Sequence, residues 1–209
     1  MPALTSLIDP FFSSAFTLWG SPTSWAETLA FTLALAMVGC NIREIHWGWP
    51  LAIASSCLYY GVFWRSRLYG EALLQIFFAV VALWGWLQWV RGGILAGSPF
   101  HIARLSARGW LVMVATAGLA WPAVALFLQH YTNTDVAWWD AFPTALSIVA
   151  QFLLGRKLLE NWAVWLLVNL VGTALFAYKG LWLTAILYGL FAALSIVGWR
   201  IWHRQLQRT

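Results

Sequence analysis

The two halves of this sequence repeat each other, and the repeat limits the chain to few architectures. If the sequence is slid along itself until Trp25 meets Trp138, Trp49 also meets Trp162. The same shift brings the pattern Gly-Trp-x-x-Trp at 85–89 onto an identical pattern at 198–202. Apolar residues often match by chance in such alignments, but tryptophan and glycine do not. Repeats of this size are a signature of membrane transporters, and we call this shift the repeat alignment.

The repeated segments are too apolar for a water-soluble protein. Hydrophobic residues make up 62% of the chain and charged residues 9%, whereas soluble domains carry roughly 25% charged residues. The chain also holds 17 tryptophans, a residue that is enriched at membrane–water interfaces. We therefore predict an all-α integral membrane protein.

Seven apolar stretches, separated by short polar turns, are the predicted spans. A short helix lying in the membrane interface is predicted before them, within residues 4–19. Ser24 followed by Glu27 is a capping-box pattern that starts the first span, and Pro50 suits the first turn of the second. The predicted spans are 25–40, 50–64, 71–90, 109–128, 140–155, 160–178 and 181–202.

The number of spans determines how the repeats are related. Each repeat holds three spans and one span separates them, so both repeats enter the membrane in the same direction. The predicted fold has seven transmembrane helices in a 3+1+3 order, with parallel three-helix repeats, as in SWEET-type sugar transporters. The predicted parts are an N-terminal interfacial segment at 1–22, the first repeat at 23–92, a linker and connecting helix at 93–130, the second repeat at 131–202 and a tail at 203–209.

Lysine and arginine predict the orientation in the membrane. Nine of the 12 lysines and arginines fall on one side of the predicted spans, and the positive-inside rule makes that side cytoplasmic. The N-terminus is then outside and the C-terminus cytoplasmic. The three on the opposite side are Arg65, Arg67 and Lys179.

Several function classes are disfavoured by the chemistry of the residues. The basic residues are scattered singly, which disfavours nucleic-acid binding, and the chain has no Gly-rich phosphate loop. The four histidines lie at or outside span ends and the two cysteines lie in apolar stretches, so no cofactor or metal is predicted. Because no base lies in a span beside a nucleophile, we predict that the protein is not an enzyme.

The acidic residues bear on the energetics of transport. Glu27, Glu71, Asp140 and Glu160 lie near predicted helix ends, and Glu160 is spaced to pair with Arg156 on the surface. Ion-coupled transporters normally carry carboxylates deep within a span. The pattern therefore favours facilitated diffusion.

The repeat alignment pairs polar residues in the spans of the first half with residues in the spans of the second half. Around a twofold axis these partners would converge on one central cavity, where amides and aromatic rings suit a neutral or weakly cationic aromatic solute with hydroxyl groups. A polar stripe on the fifth span either lines the same cavity or holds helices together. The aligned pairs are Ser56 with Asn169, Gln75 with Tyr188 and Tyr69 with Trp182, and the stripe is Thr144, Ser147 and Gln151.

The sequence resembles the PnuC family, whose members transport nicotinamide riboside. The resemblance covers most of the chain and is carried by several motifs together. Asn169 stands where an acidic residue is common in the family, and Trp182 where tyrosine is common. The motifs are Trp49-Pro50, residues 68–78, residues 85–89, residues 143–153, Glu160-Asn161-Trp162 with Trp165, and Tyr188.

The resemblance implies a SWEET-like protein of the bacterial inner membrane that assembles as a homotrimer. Nicotinamide riboside, a form of vitamin B3, would cross down its gradient and be trapped for NAD synthesis by a cytoplasmic kinase. Trp199 and Trp202 are predicted to be cytoplasmic belt residues outside the site. The predicted substrate-binding residues are Trp182, Tyr188, Asn169, Trp165, Gln75, Thr144, Gln151, Ser56, Trp64, Gln88 and Trp162.

Other functions stay open from the residues alone. Related vitamins such as riboflavin or thiamine suit the same cavity chemistry. A SWEET-type sugar facilitator fits less well, because a hexose offers no π-face to so many indoles. A membrane scaffold without transport activity is a different class, and it would need neither the repeat nor a convergent polar set.

Overall fold

A computed structural model describes residues 10–18, 20–65, 69–95, 101–131, 136–178 and 182–208. Seven long helices make up most of this part of the chain. Their ends lie within a few residues of the ends of the predicted spans. The helices are α1 (Trp25–Ile42), α2 (Gly48–Arg65), α3 (Tyr69–Leu95), α4 (Ala107–Tyr131), α5 (Ala137–Gly155), α6 (Asn161–Tyr178) and α7 (Trp182–Leu206).

The local signals at the helix starts are confirmed. The Oγ of Ser24 accepts a hydrogen bond from the backbone N–H of Glu27 at 3.1 Å, which satisfies one of the free donors at the start of α1. Pro50 is the third residue of α2, where its missing N–H costs little. Pro122 lies inside α4, which continues from Ala107 to Tyr131.

The prediction of an interfacial helix over 4–19 is wrong for its second half. Strands β1 (Ser14–Leu18) and β2 (Ser21–Ser24) pair antiparallel there, and Leu18 faces Ser21. Serine and threonine compete with a helix by bonding to the backbone. Gly20 has φ 85°, as a tight hairpin turn requires. Residues 1–9 lie outside the described part of the chain.

The helices are those of a multi-pass membrane protein. Within the described residues, five helices contain stretches long and apolar enough to cross a membrane: α1, α3, α4, α6 and α7. α2 and α5 complete the set of seven. Eleven of the 19 residues of α5 are buried, which makes it the most enclosed helix of the bundle. Its polar side chains therefore lie against protein, where they are tolerated in lipid surroundings.

Helix packing follows the two halves of the sequence. Helices α1, α2 and α3 pack one on the next, as do α5, α6 and α7, and α4 lies against α5. The halves meet where α1 contacts α7 and where α3 contacts α5. Under the repeat alignment these two contacts are equivalent, since α1 corresponds to α5 and α3 to α7.

Four buried tryptophans form the core at the end of the bundle where α3 and α7 finish. The Trp49 and Trp89 rings meet edge to face at 5.5 Å and 85°, and the Trp162 and Trp202 rings do so at 5.4 Å and 87°. The indole N–H of Trp202 donates to the Ile42 carbonyl at 3.0 Å. The prediction of a belt position for Trp202 is wrong, because its side chain is 0% exposed. We call these four residues the tryptophan layer.

The predicted surface pair of Glu160 with Arg156 is also wrong. Glu160 is buried, and its Oε2 accepts the backbone N–H of Leu105 at 3.0 Å. The exposed guanidinium of Arg156 lies over the Phe152 ring at 4.8 Å. A buried carboxylate needs a donor, and the segment before α4 supplies one because Ala103 pairs with the backbone of the α5–α6 connection.

Candidate functional site

The amide of Asn169 is held inside the protein at about the middle of α6. The side chain is 3% exposed, and its Nδ2 donates to the Oγ of Ser195 on α7 at 3.3 Å. Ser195 in turn donates to the Phe191 carbonyl at 2.7 Å. A polar group in a span is stable only with such partners. A substrate that bonds Asn169 would therefore extend an existing chain of hydrogen bonds between α6 and α7.

Tyr188 belongs to α7, and its ring packs against the neighbouring helix α6. Its ring covers Gly172 so closely that a Cβ there would overlap it, and it meets Phe176 at 4.9 Å and Phe191 at 6.1 Å between ring centroids. The missing side chain at Gly172 is what lets the phenol approach α6. Tyr188 therefore lies on the α6–α7 contact, as Asn169 does.

One residue near Tyr188 is not among the predicted site residues. Tyr59 of α2 lies close enough to Tyr188 and to Glu27 of α1 to interact electrostatically with both. The first half of the chain therefore comes within electrostatic range of Tyr188. The sequence carried no direct signal for this, because the repeat alignment pairs Tyr59 with Gly172 and Tyr188 with Gln75.

Three of the four predicted tryptophans lie at different levels of the second half. Trp182 is the first residue of α7 and is 48% exposed. Trp165 is partly buried and packs on the apolar cluster that includes Val164 and Val168. Trp162 belongs to the tryptophan layer and covers Gly198 near the far end of α7. Trp182 is therefore the one of the three with a largely open ring.

The polar stripe of α5 faces the interior. The Thr144 hydroxyl donates to the Asp140 carbonyl in its own helix at 2.9 Å. Ser147 and Gln151, one and two turns further on, are buried. Both readings of the stripe, as a cavity wall or as a link between helices, are compatible with this placement.

The other predicted residues divide between interior and surface. Ser56 is buried and Gln75 is partly buried. Trp64 is exposed and stacks on Tyr60 at 5.6 Å, and Gln88 is exposed on α3. Ser56 and Gln75 therefore join Asn169, Tyr188, Ser147 and Gln151 as polar residues inside the bundle, and we call these six the interior set. Trp64 and Gln88 lie on the outer surface of this chain.

Two cavities lie away from the interior set. One of about 280 Å³ is an apolar groove between α4, α5 and α6. The other, of about 260 Å³, lies beside the tail end of α7 and is lined in part by Glu44, His101 and Arg208. Among the described residues, no group of three His, Cys, Asp or Glu side chains is arranged to hold a metal ion.

Comparisons with known proteins agree on the kind of molecule. Residues 24–204 match the family described as nicotinamide mononucleotide transporter. The chain is 32% identical over 203 residues to the riboflavin/roseoflavin transporter RibM of Streptomyces davaonensis, covering 94% of this chain and 92% of that protein. It is 26% identical over 207 residues to the nicotinamide riboside transporter PnuC of Escherichia coli, covering 88% and 87% of the two chains.

A solved structure shares the fold. The crystal structure of the vitamin B3 transporter PnuC superposes with a TM-score of 0.71 at 24% identity, covering 88% of this chain and 83% of that one. The family match, which spans most of the helical bundle, agrees with this likeness. The chain therefore belongs to the PnuC family of membrane transporters.

Proposed function

We propose that the protein is a facilitator for nicotinamide riboside. The observation that carries this is that the Tyr188 ring and the buried Asn169 amide share one contact between two helices of a PnuC-family transporter. Aromatic faces bind a flat pyridinium cation without a buried carboxylate, and amides bind the carboxamide and ribose hydroxyls. The relatives named PnuC transport nicotinamide riboside, which supports the same substrate here.

Riboflavin is the second candidate, and a specific observation favours it. The relative RibM, at 32% identity, is a riboflavin/roseoflavin transporter. Riboflavin is a neutral flat ring on a hydroxylated chain, so it needs no opposing charge. Asn169 is neutral and buried, which suits a neutral ligand at least as well as a cation.

We also propose the 3+1+3 arrangement with parallel repeats, in a homotrimer of the bacterial inner membrane. The equivalent α1–α7 and α3–α5 contacts between the halves support the twofold relation. Helix α4 exposes many apolar side chains, including Leu111 and Leu119, which would face lipid or a neighbouring subunit. A cytoplasmic kinase that phosphorylates the substrate would keep it inside the cell.

A panel of ligands tests the substrate. Calorimetric titration of the purified protein with nicotinamide riboside, riboflavin, thiamine and glucose is expected to give saturable binding with the first and at least tenfold weaker binding with the others. Tightest binding of riboflavin would move the assignment to the second candidate. Binding of none of the four, by protein that stays folded, would contradict the proposed substrate class.

Uptake is expected to proceed without an ion gradient. Glu27 and Asp140 lie in the first turns of their helices, so the described carboxylates are not placed in mid-span as an ion-coupled carrier normally requires. Proteoliposomes that contain no kinase should therefore equilibrate labelled nicotinamide riboside at the same rate with or without a proton or sodium ionophore. Accumulation above the outside concentration would contradict facilitated diffusion.

The tail of α7 is expected on the cytoplasmic side. The last residues of the chain include Arg204 and Arg208, in keeping with the excess of basic residues at that side. A cysteine in place of Thr209, in a background where Cys40 and Cys57 are alanine, should resist a membrane-impermeant thiol reagent in intact cells. Rapid labelling from outside would reverse the assigned orientation.

A further inference from the structure

Glu44 and Lys157 form an ion pair between equivalent positions of the two halves. The Nζ of Lys157 lies 2.8 Å from the Oε2 of Glu44. The repeat alignment pairs these two residues. They share the left-handed backbone conformation, with φ 56° at Glu44 and 52° at Lys157. Each follows the residue that ends its helix, Arg43 after α1 and Arg156 after α5. A residue that touches its own repeat partner lies on or beside the twofold axis.

The tryptophan layer continues the contact between the halves beside this pair. The Nζ of Lys157 also lies over the Trp89 ring at 4.8 Å, and the Trp89 and Trp202 rings, another equivalent pair, are 6.4 Å apart. The indole N–H of Trp89 donates to the Leu154 carbonyl at 3.2 Å, much as Trp202 donates to Ile42. Each half thus bonds the end of the first helix of the other half.

The ion pair and the tryptophan layer differ in how easily they can separate. Both charged groups of the pair lie at the edge of the bundle, where the side chains are 11% and 21% exposed, so water can take over their hydrogen bonds when they part. The tryptophans are buried, and two of them interlock with glycines of their own half: Trp49 with Gly85 and Trp162 with Gly198. The tryptophan–glycine contacts hold each half together, whereas the pair joins one half to the other.

We propose that Glu44 and Lys157 are the latch of a gate at this end of the transport path. The gate is closed in this structure. It opens when the two halves separate, which breaks the ion pair, the Trp89–Trp202 contact and the indole hydrogen bonds to Leu154 and Ile42 together. The latch rests on the proposed transport function, since a gate has meaning only in a carrier. Because the Glu44 and Lys157 side chains are partly exposed, hydration replaces part of the contact that is lost when they separate.

Cross-linking across the pair tests the latch. The variant carries E44C and K157C in a background where Cys40 and Cys57 are alanine, and a short bifunctional thiol reagent joins the two cysteines. Cross-linked protein in liposomes is expected to lose more than tenfold of its uptake of labelled nicotinamide riboside while still binding it in detergent. A cleavable form of the reagent should restore uptake when the bridge is cut.

A matched control joins two residues of one half at the same end. Trp86 and His46 touch within the first half, with Trp86 Nε1 3.4 Å from His46 Nδ1. Cross-linking H46C to W86C should leave uptake within twofold of the unlinked variant. Uptake that persists in fully cross-linked E44C/K157C protein would overturn the latch, as would equal loss in the control.

Exchanging the two charges tests the latch if the double-cysteine variant does not fold. E44K alone places two cations on the axis and should reduce uptake at least fivefold, whereas E44K with K157E restores opposite charges and should recover most of it. A double variant no better than E44K would overturn the latch. A wrong substrate assignment gives a different result, because the unmodified protein would then show no uptake of nicotinamide riboside. The same variants would in that case be measured with riboflavin.

Discussion

Replacing Gly198 with alanine is expected to lower the melting temperature of the purified protein by about 5 °C or more, because overpacking of a core costs roughly 1–3 kcal/mol. A Cβ at this position would lie 2.6 Å from ring atoms of Trp162, well inside van der Waals contact. That indole cannot swing aside, since it is buried and meets Trp202 edge to face. The gain in helix propensity, about 1 kcal/mol for glycine to alanine, offsets only part of the cost.

Gly189 provides a matched control in the same helix. A Cβ there has no other atom within 4 Å, so Gly189→Ala should leave the melting temperature unchanged or raise it slightly. Thermal unfolding followed by tryptophan fluorescence in detergent compares the two variants. Equal effects at the two positions would show that the tryptophan layer yields easily and does not hold α6 to α7.

The ends of the helices could be predicted because their signals are local. Ser24 caps α1 and Pro50 starts α2, and each acts through bonds or sterics within one turn. The hairpin at residues 14–24 could not be predicted in the same way. Its aromatic residues suggested an amphipathic helix, whereas the backbone groups there are satisfied by the pairing of two short strands.

Tryptophan shows where composition loses its predictive value. Trp182 and Trp202 are the same residue type at opposite ends of α7, yet one is 48% exposed and the other 0%. An indole suits a membrane interface and a protein core equally well. The difference arises from the Trp162 ring, which packs edge to face on Trp202, and from the Ile42 carbonyl, which accepts its N–H. Both residues are far from Trp202 in the sequence.

The repeat alignment carries information about contacts between the two halves that the predicted spans alone do not carry. The repeat alignment pairs Glu44 with Lys157, and it pairs Tyr59 with the glycine that receives Tyr188. Near a twofold axis, equivalent positions come close together, so opposite charges at such positions predict contact, whereas the glycine paired with Tyr59 receives Tyr188 and not Tyr59. The buried bond of Glu160 to Leu105 has no such signal, because it depends on where the segment before α4 runs.

Trp182→Ala is expected to weaken binding of nicotinamide riboside about tenfold or more. The ring is half exposed at the start of α7, six residues before Tyr188, which is about 9 Å along a helix. A pyridinium covered by an indole gains ~1–2 kcal/mol when water is excluded, and ~1.4 kcal/mol is a factor of ten in affinity. Calorimetry on the folded variant measures the change, with riboflavin titrated beside it because a neutral flavin ring would lose less.

Trp139→Ala is the control for this loss. Trp139 is also near the start of its helix and is 68% exposed, but neither the repeat nor the interior contacts place it with Tyr188. Its replacement should change affinity by less than twofold. Trp202 cannot serve as the control, since its buried ring and its bond to Ile42 make any substitution a change in stability. If Trp139→Ala weakened binding more than Trp182→Ala, the substrate would enter beside α5, and the α6–α7 contact would be the wrong place for the site.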